Sequence, residues 1–173
     1  MAKLLIISDS HGLTNELIEI KKRHQQTVDA MIHCGDSELP YNAPEMNDFI
    51  KVKGNCDFDS SYLDELTEEI QGSRVFVTHG HLYNVKMSLM SIQYKAEEVD
   101  AKIACFGHSH VAGSFQENNI VFINPGSILI PRRRPEPTYV IAEIEEKEMT
   151  VRFFNAAGSE VEELAAHYVV KSK

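Results

Sequence analysis

Cys105-Phe106-Gly107-His108-Ser109-His110 closes a short apolar run with two histidines set one residue apart. The run that leads into it, residues 102–106, reads as a buried strand, so the histidines fall at its carboxyl end. A buried polar group without a partner is costly. Two imidazoles in that position therefore need something to hold. The same arrangement recurs four more times. Ser8-Asp9-Ser10-His11-Gly12 follows the apolar residues 4–7, and Cys34-Gly35-Asp36 follows Met31-Ile32-His33. Gly54-Asn55-Cys56-Asp57 follows residues 50–53, and Thr78-His79-Gly80-His81 follows Val75-Phe76-Val77. Five strand ends each carry Asp, Asn or His beside a glycine.

Working outward, runs rich in Val and Ile predict strands over 3–8, 30–33, 48–52, 74–78, 102–106, 120–123, 138–143 and 149–154. The early runs are continuously apolar, as in strands covered on both faces. The later ones look like edges or hairpins, with Glu145-Glu146-Lys147-Glu148 as the turn between two of them. Helical periodicity covers 14–25, with Thr14 or Asn15 as N-cap. It returns over 85–99, where Val85, Leu89, Ile92, Ala96 and Val99 form one stripe. A third, shorter helix is expected over 60–70, and 37–47, with Pro40 and Pro44, reads as a loop. Met46, Met87 and Met90 read as core filler. The pattern is one α/β unit over residues 1–173, a length that suits a single domain with a proper core.

The formal net charge of -9 speaks against general nucleic-acid affinity, because following phosphates requires a basic stripe. A small phosphorylated substrate stays open, since a metal supplies local positive charge. Leu4-Leu5-Ile6-Ile7 is far too short for a signal segment or a membrane span. Three cysteines with no CxxC pair point away from a disulfide framework and toward a reducing cytoplasm. Cys34 and Cys105 read as small buried hydrophobes.

In an open α/β sheet, residues beyond the carboxyl ends of parallel strands converge on one ligand site. The converging set is Asp9, His11, Asp36, Asn55, His79, His108 and His110. Carboxylate with imidazole suits divalent Mn, Fe and Zn, and no cysteine sits among the best candidates. Seven ligands exceed one tetrahedral site and match two metals sharing a carboxylate. Five of the eight histidines, with His81, fall in this set. Read singly, Asp9 is a helix cap, Gly54-Asn55 a turn pair, and His33 a satisfied core histidine. Read in series, capping and turn roles become minor.

Asp9-x-His11, Gly35-Asp36, Gly54-Asn55, His79 and Gly107-His108-x-His110 resemble the ordered motif series of the calcineurin-like metallophosphoesterases. Thr-His-Gly-His, Gly-Asn-Cys-Asp and Asn124-Pro125-Gly126-Ser127 narrow the likeness to the small bacterial and archaeal phosphodiesterase branch related to the scaffold subunit Vps29. The likeness runs from about residue 4 to about residue 132. It implies a four-layer α/β/β/α sandwich of two mixed sheets and two divalent metals, manganese first, with nickel, iron and zinc as alternatives. Asp9, His11 and His110 would hold one metal. Asn55, His79 and His108 would hold the other, with Asp36 between them. The implied reaction is hydrolysis of a small phosphodiester by a hydroxide bridging the metals, without a covalent enzyme intermediate.

Many members of that family carry histidine after the Asn of the third motif. Here the residue is Cys56, a poor acid. His81, Asp57 or water then takes the leaving-group role. Asp57 has a second reading as a positioning residue, and His81 as support for a ligand. The competing function is a Vps29-like interaction scaffold with vestigial catalysis; seven intact ligand positions favour the enzyme. Arg132-Arg133-Arg134 is the one basic cluster. It reads as a solvated or ion-paired loop at Arg134, with a clamp for a phosphate or a second anionic group open at Arg132, and equally as a self-association surface. Neither a stable nucleic-acid complex nor membrane association is expected, and edge strands would permit a homodimer.

Overall fold

The computed structural model describes residues 1–171. In chain order the strands are β1 (Ala2–Ile7), β2 (Ala30–His33), β3 (Phe49–Lys51), β4 (Glu65–Ile70), β5 (Ser73–Thr78), β6 (Ile103–Cys105), β7 (Gly113–Glu117), β8 (Ile120–Asn124), β9 (Thr138–Glu145), β10 (Glu148–Asn155) and β11 (Ala166–Val169). Helix α1 (Asn15–His24) joins β1 to β2, and α2 (Met90–Glu98) joins β5 to β6. The strands form two sheets, ordered β11-β10-β9-β1-β2-β3 and β4-β5-β6-β8-β7. Parallel pairs occupy the middle of the second sheet and one side of the first, and antiparallel pairs complete both. Both sheets are therefore mixed.

Period-two alternation explains the layering. Along β1, Leu4 and Ile6 enter one core with Ile32 of β2, Val75 and Val77 of β5, Ile103 of β6 and Val121 of β8. That core lies between the sheets. Leu5 and Ile7 point the other way, onto Leu17 and Ile20 of α1. The second sheet mirrors this: Ala104 and Phe122 meet Ile92 and Ala96 of α2. Helix, sheet, sheet and helix thus stack in four layers, the sandwich expected from the motif series. Leu4 and Ile32 are fully buried, and truncating either to alanine costs about 2–5 kcal/mol.

Three expectations need correction. Residues 60–70 are not a helix: their second half is β4, paired antiparallel with β5. Gln71 and Gly72 both have positive φ, 48° and 80°, the geometry of a tight hairpin turn. Cross-strand pairing, with Glu69 on Arg74 at 2.7 Å, overrides a helix-friendly composition. Helix α2 begins at Met90, not at residue 85; Val85 is buried from an irregular turn before it. Of the three methionines, only Met46 is core. Met87 and Met90 are 80% and 57% exposed. Strands β7 and β11 carry no apolar run to predict them: β7 is half-buried up to an exposed Glu117, and β11 alternates half-buried with exposed residues.

Backbone bonds bring the strand ends of both sheets together. Asp9 N–H donates to Gly35 O at 3.0 Å, and Gly107 N–H to His79 O at 2.9 Å. Across the sheets, His108 N–H donates to Asp9 Oδ2 at 3.1 Å. No helix among the described residues is long and apolar enough to cross a membrane.

Candidate metal centre

Five of the seven expected ligands hold a left-handed backbone: Asp9 (φ 55°), His11 (44°), Asp36 (58°), His108 (69°) and His110 (60°). For a residue with a Cβ this conformation is strained, of order 1–3 kcal/mol each, and such strain concentrates at functional sites. It turns the side chains off the strand ends and toward one another.

Three histidines are locked in one orientation. His79 Nδ1 donates to Cys34 O at 2.8 Å, His110 Nδ1 to Ile130 O at 2.8 Å, and His11 Nδ1 to a Glu38 carboxylate oxygen at 3.0 Å. Each ring therefore presents Nε2 inward, as metal-binding histidines do. His11 Nε2 and His110 Nε2 stand 3.2 Å apart. His79 Nε2 lies 3.1 Å from Asn55 Oδ1 and 3.2 Å from Asp36 Oδ2. Asp9 Oδ1 lies 3.2 Å from His110 Nε2 and 3.8 Å from both His11 Nε2 and His79 Nε2.

This is a crowd of lone pairs. Asp9 Oδ1 is buried and has no hydrogen-bond partner among the described residues. A buried carboxylate oxygen in that state is costly unless a cation meets it. The donors meet the test for a divalent ion. Asp9, His11 and His110 form one group whose ligand atoms lie within 4.8 Å of one another; Asp9, Asp36 and His79 form another, and His11, Asp36 and Cys56 a third. Asp9, His11 and Asp36 each belong to two of these groups, so the groups merge into one cluster. His108 stands outside these groups, its ring 5.1 Å from that of His79. His81 is 5.3 Å from His79 and 6.0 Å from His108 by ring centroid.

The electrostatics follow. Burial alone would raise the Asp9 and Asp36 pKa values, but contacts with His110, His79 and Ser8 outweigh it at Asp9. His79 and the Cys56 N–H outweigh it at Asp36 and hold that carboxyl well below the usual range. Burial would lower His79, yet Asp36 and Asp9 raise it. Burial, His79 and the cationic Lys86 push His108 down to about 4. Burial and His79 also lower His81. Cys56 is pushed up to about 11 by burial and the Asp36 charge, so it stays a neutral thiol at pH 7.

Two glycines are set by close approach. A Cβ on Gly54 would collide with the Asp36 carboxylate, and one on Gly107 with Ser8 Oγ and, at 2.5 Å, Asp9 Oδ2. Asp57 is committed to the backbone: its carboxylate accepts from Asp36 N–H at 2.9 Å, Glu38 N–H at 2.8 Å and Gly54 N–H at 2.6 Å. His33 is the satisfied core histidine expected, accepting from Gly35 N–H at 3.1 Å and donating to Ser10 Oγ at 2.9 Å. Sequence reasoning missed Glu38, which orients His11; it sits in a stretch that reads as plain loop, and only its spacing of two from Asp36 hinted at a role.

A model of the calcineurin-like phosphoesterase superfamily domain matches residues 2–147, and the chain belongs to that superfamily. Among its relatives, the probable metallophosphoesterase YsnB of Bacillus subtilis is 50% identical over 161 residues, covering 93% of this chain and 95% of that protein. A solved structure from Streptococcus pneumoniae TIGR4, described as a predicted phosphoesterase, superposes with a TM-score of 0.94 at 34% identity and covers 97% of each chain. Vps29 from Cryptosporidium parvum superposes with a TM-score of 0.76 at 15% identity, over 97% of this chain and 98% of that one. That last likeness is one of fold alone. The enzyme class expected from the motif series, a metal-dependent phosphoesterase, stands.

Proposed function

We propose that the protein is a phosphodiesterase acting on small phosphodiesters at a two-metal centre. Asp9, His11 and His110 hold one ion, Asn55, His79 and His108 the other, and Asp36 is shared. Manganese is the first choice. The observation that carries the reading is the buried, unpartnered Asp9 Oδ1 facing inward-turned imidazole nitrogens. When bound, such a pair of ions supplies hydroxide near neutral pH and neutralises phosphoryl oxygens.

The chain's own residues do the rest. Cys34 O, Ile130 O and Glu38 fix the ring orientations. Asp57 acts as a positioning residue: three amide bonds leave its carboxylate tied to the loops that carry Asp36 and Asn55. His81 faces the leaving group as a neutral hydrogen-bond donor, in line with its lowered pKa. Cys56, neutral and weakly acidic, donates no proton efficiently. Water then protonates poor leaving groups, and phosphodiesters of acidic alcohols such as p-nitrophenol are favoured substrates.

Turnover of bis-p-nitrophenyl phosphate tests this. Metal-stripped protein should be inactive, manganese should restore turnover, and His108→Ala should abolish it. Equal turnover with and without metal would refute the reading.

A further inference from the structure

Beside the metal centre lies a cavity of about 590 Å³, within the size range of small-molecule sites. Its wall is continuous with the ligand loop. Ser109, between His108 and His110, lines it, as does Asn124, whose Nδ2 donates to Ser109 Oγ at 3.0 Å. Arg132 also lines it, and its backbone N–H donates to His110 O at 3.0 Å.

The lining has two characters. Leu89, Phe106 and Phe115 form an apolar side. The Phe115 ring is fixed by stacking on Phe122, with centroids 4.8 Å apart and planes 5° from parallel. Lys86, Arg132 and Arg133 supply three cations. Their charged groups make no ion pair or hydrogen bond among the described residues. The adjacent Arg134 differs, being paired with Glu136 at 2.8 Å and with Glu163. No Asp or Glu lines the cavity, although the chain carries a net charge of -9. Three cations without an ion pair around a cavity that no acid lines, in an acidic protein, mark a place for an anion.

We propose that this cavity is the subsite for the non-reacting arm of the substrate, and that this arm combines an apolar ring with a second anionic group. Arg132, Arg133 and Lys86 receive the anion, and Phe106 and Phe115 face the ring. The proposal rests on the phosphodiesterase reading above. It narrows the substrate class to phosphodiesters bearing a further phosphate, as in a nucleoside bisphosphate ester.

The test compares two esters on manganese-loaded protein: thymidine 5′-(p-nitrophenyl phosphate), and the same ester carrying a 3′-phosphate. In each, water adds to phosphorus, the P–O bond to the aryl group breaks, and p-nitrophenolate leaves. In parallel, calorimetry compares binding of thymidine 3′,5′-bisphosphate with that of thymidine 5′-phosphate. The 3′-phosphate should raise both kcat/KM and affinity about 10- to 100-fold, the range of charge-assisted hydrogen bonds. The double variant Arg132→Ser/Arg133→Ser should bring both ratios to within about twofold of one. A native ratio at or below one, or a ratio the double variant leaves intact, overturns the proposal. If neither ester turns over, the phosphodiesterase reading fails, and the binding ratio by itself still supports or overturns the anion subsite.

Discussion

Asp9 Oδ1 stands 3.2 Å from His110 Nε2, buried, with no hydrogen-bond partner among the described residues. That oxygen is free to meet an ion, and an ion that binds only the folded chain stabilises it. Manganese at 100 times its Kd should stabilise the fold by about 2.7 kcal/mol, or about 5–10 °C in Tm for a chain of this size. Asp9→Asn should lose that shift. Thermal scans with and without manganese decide it; a full shift in the variant would contradict the assignment.

Glu38 acts through His11. Its carboxylate accepts the Nδ1 proton at 3.0 Å and so leaves Nε2 free. Glu38→Ala should weaken metal affinity about 10- to 100-fold, the usual effect of removing such an orienting partner. Competition against a chromogenic chelator measures this. Affinity equal to the native value would show that His11 is held by other means.

Gly54 has no room for a side chain, because a Cβ there would stand 2.6 Å from Asp36 Cγ and closer to Oδ1. Gly54→Ala should therefore cost about 1–3 kcal/mol of stability and displace Asp36, lowering metal affinity as well. Urea unfolding and the chelator assay together check both parts. Native-like affinity with native-like stability would mean that the Asp36 loop can shift freely.

His33 gives a pH prediction for the metal-free protein. Burial pushes it down to about 4 from 6.5, and its Nδ1 already accepts the bond from Gly35 N–H. The unfolded chain then binds a proton between pH 6.5 and 4 that the folded chain refuses. Stability from this group is complete above pH 6.5 and falls as pH falls. Its share of the loss between pH 7.5 and pH 5 is about 2 kcal/mol. His33→Asn, less stable at pH 7.5, should lose less on acidification by about that amount. Identical pH slopes for the two proteins in urea unfolding would contradict it.

Much of the site was legible in the chain because its grammar is local. A buried strand, a glycine and a polar ligand lie within a few residues, as in Cys105–His110 and Leu4–His11, and the sheet does the gathering. What escaped was set by distant partners. Glu65–Ile70 has a helix-friendly composition and becomes β4 only because Gln71-Gly72 folds it onto β5. Gly113–Glu117 offers no apolar run and becomes β7 only beside β8. Glu38 looked like loop because its task lies 27 residues away on His11. Met87 and Met90 read as core from their apolar side chains, yet both lie off the buried stripe of Ile92 and Ala96, and Met87 precedes the helix.

The most direct measurement is anomalous diffraction from crystals of manganese-loaded protein. Two peaks per chain are expected, about 3.5–4 Å apart: one among Asp9, His11 and His110, the other among Asn55, His79 and His108, with Asp36 between. A single peak, or peaks away from these residues, would contradict the two-metal centre.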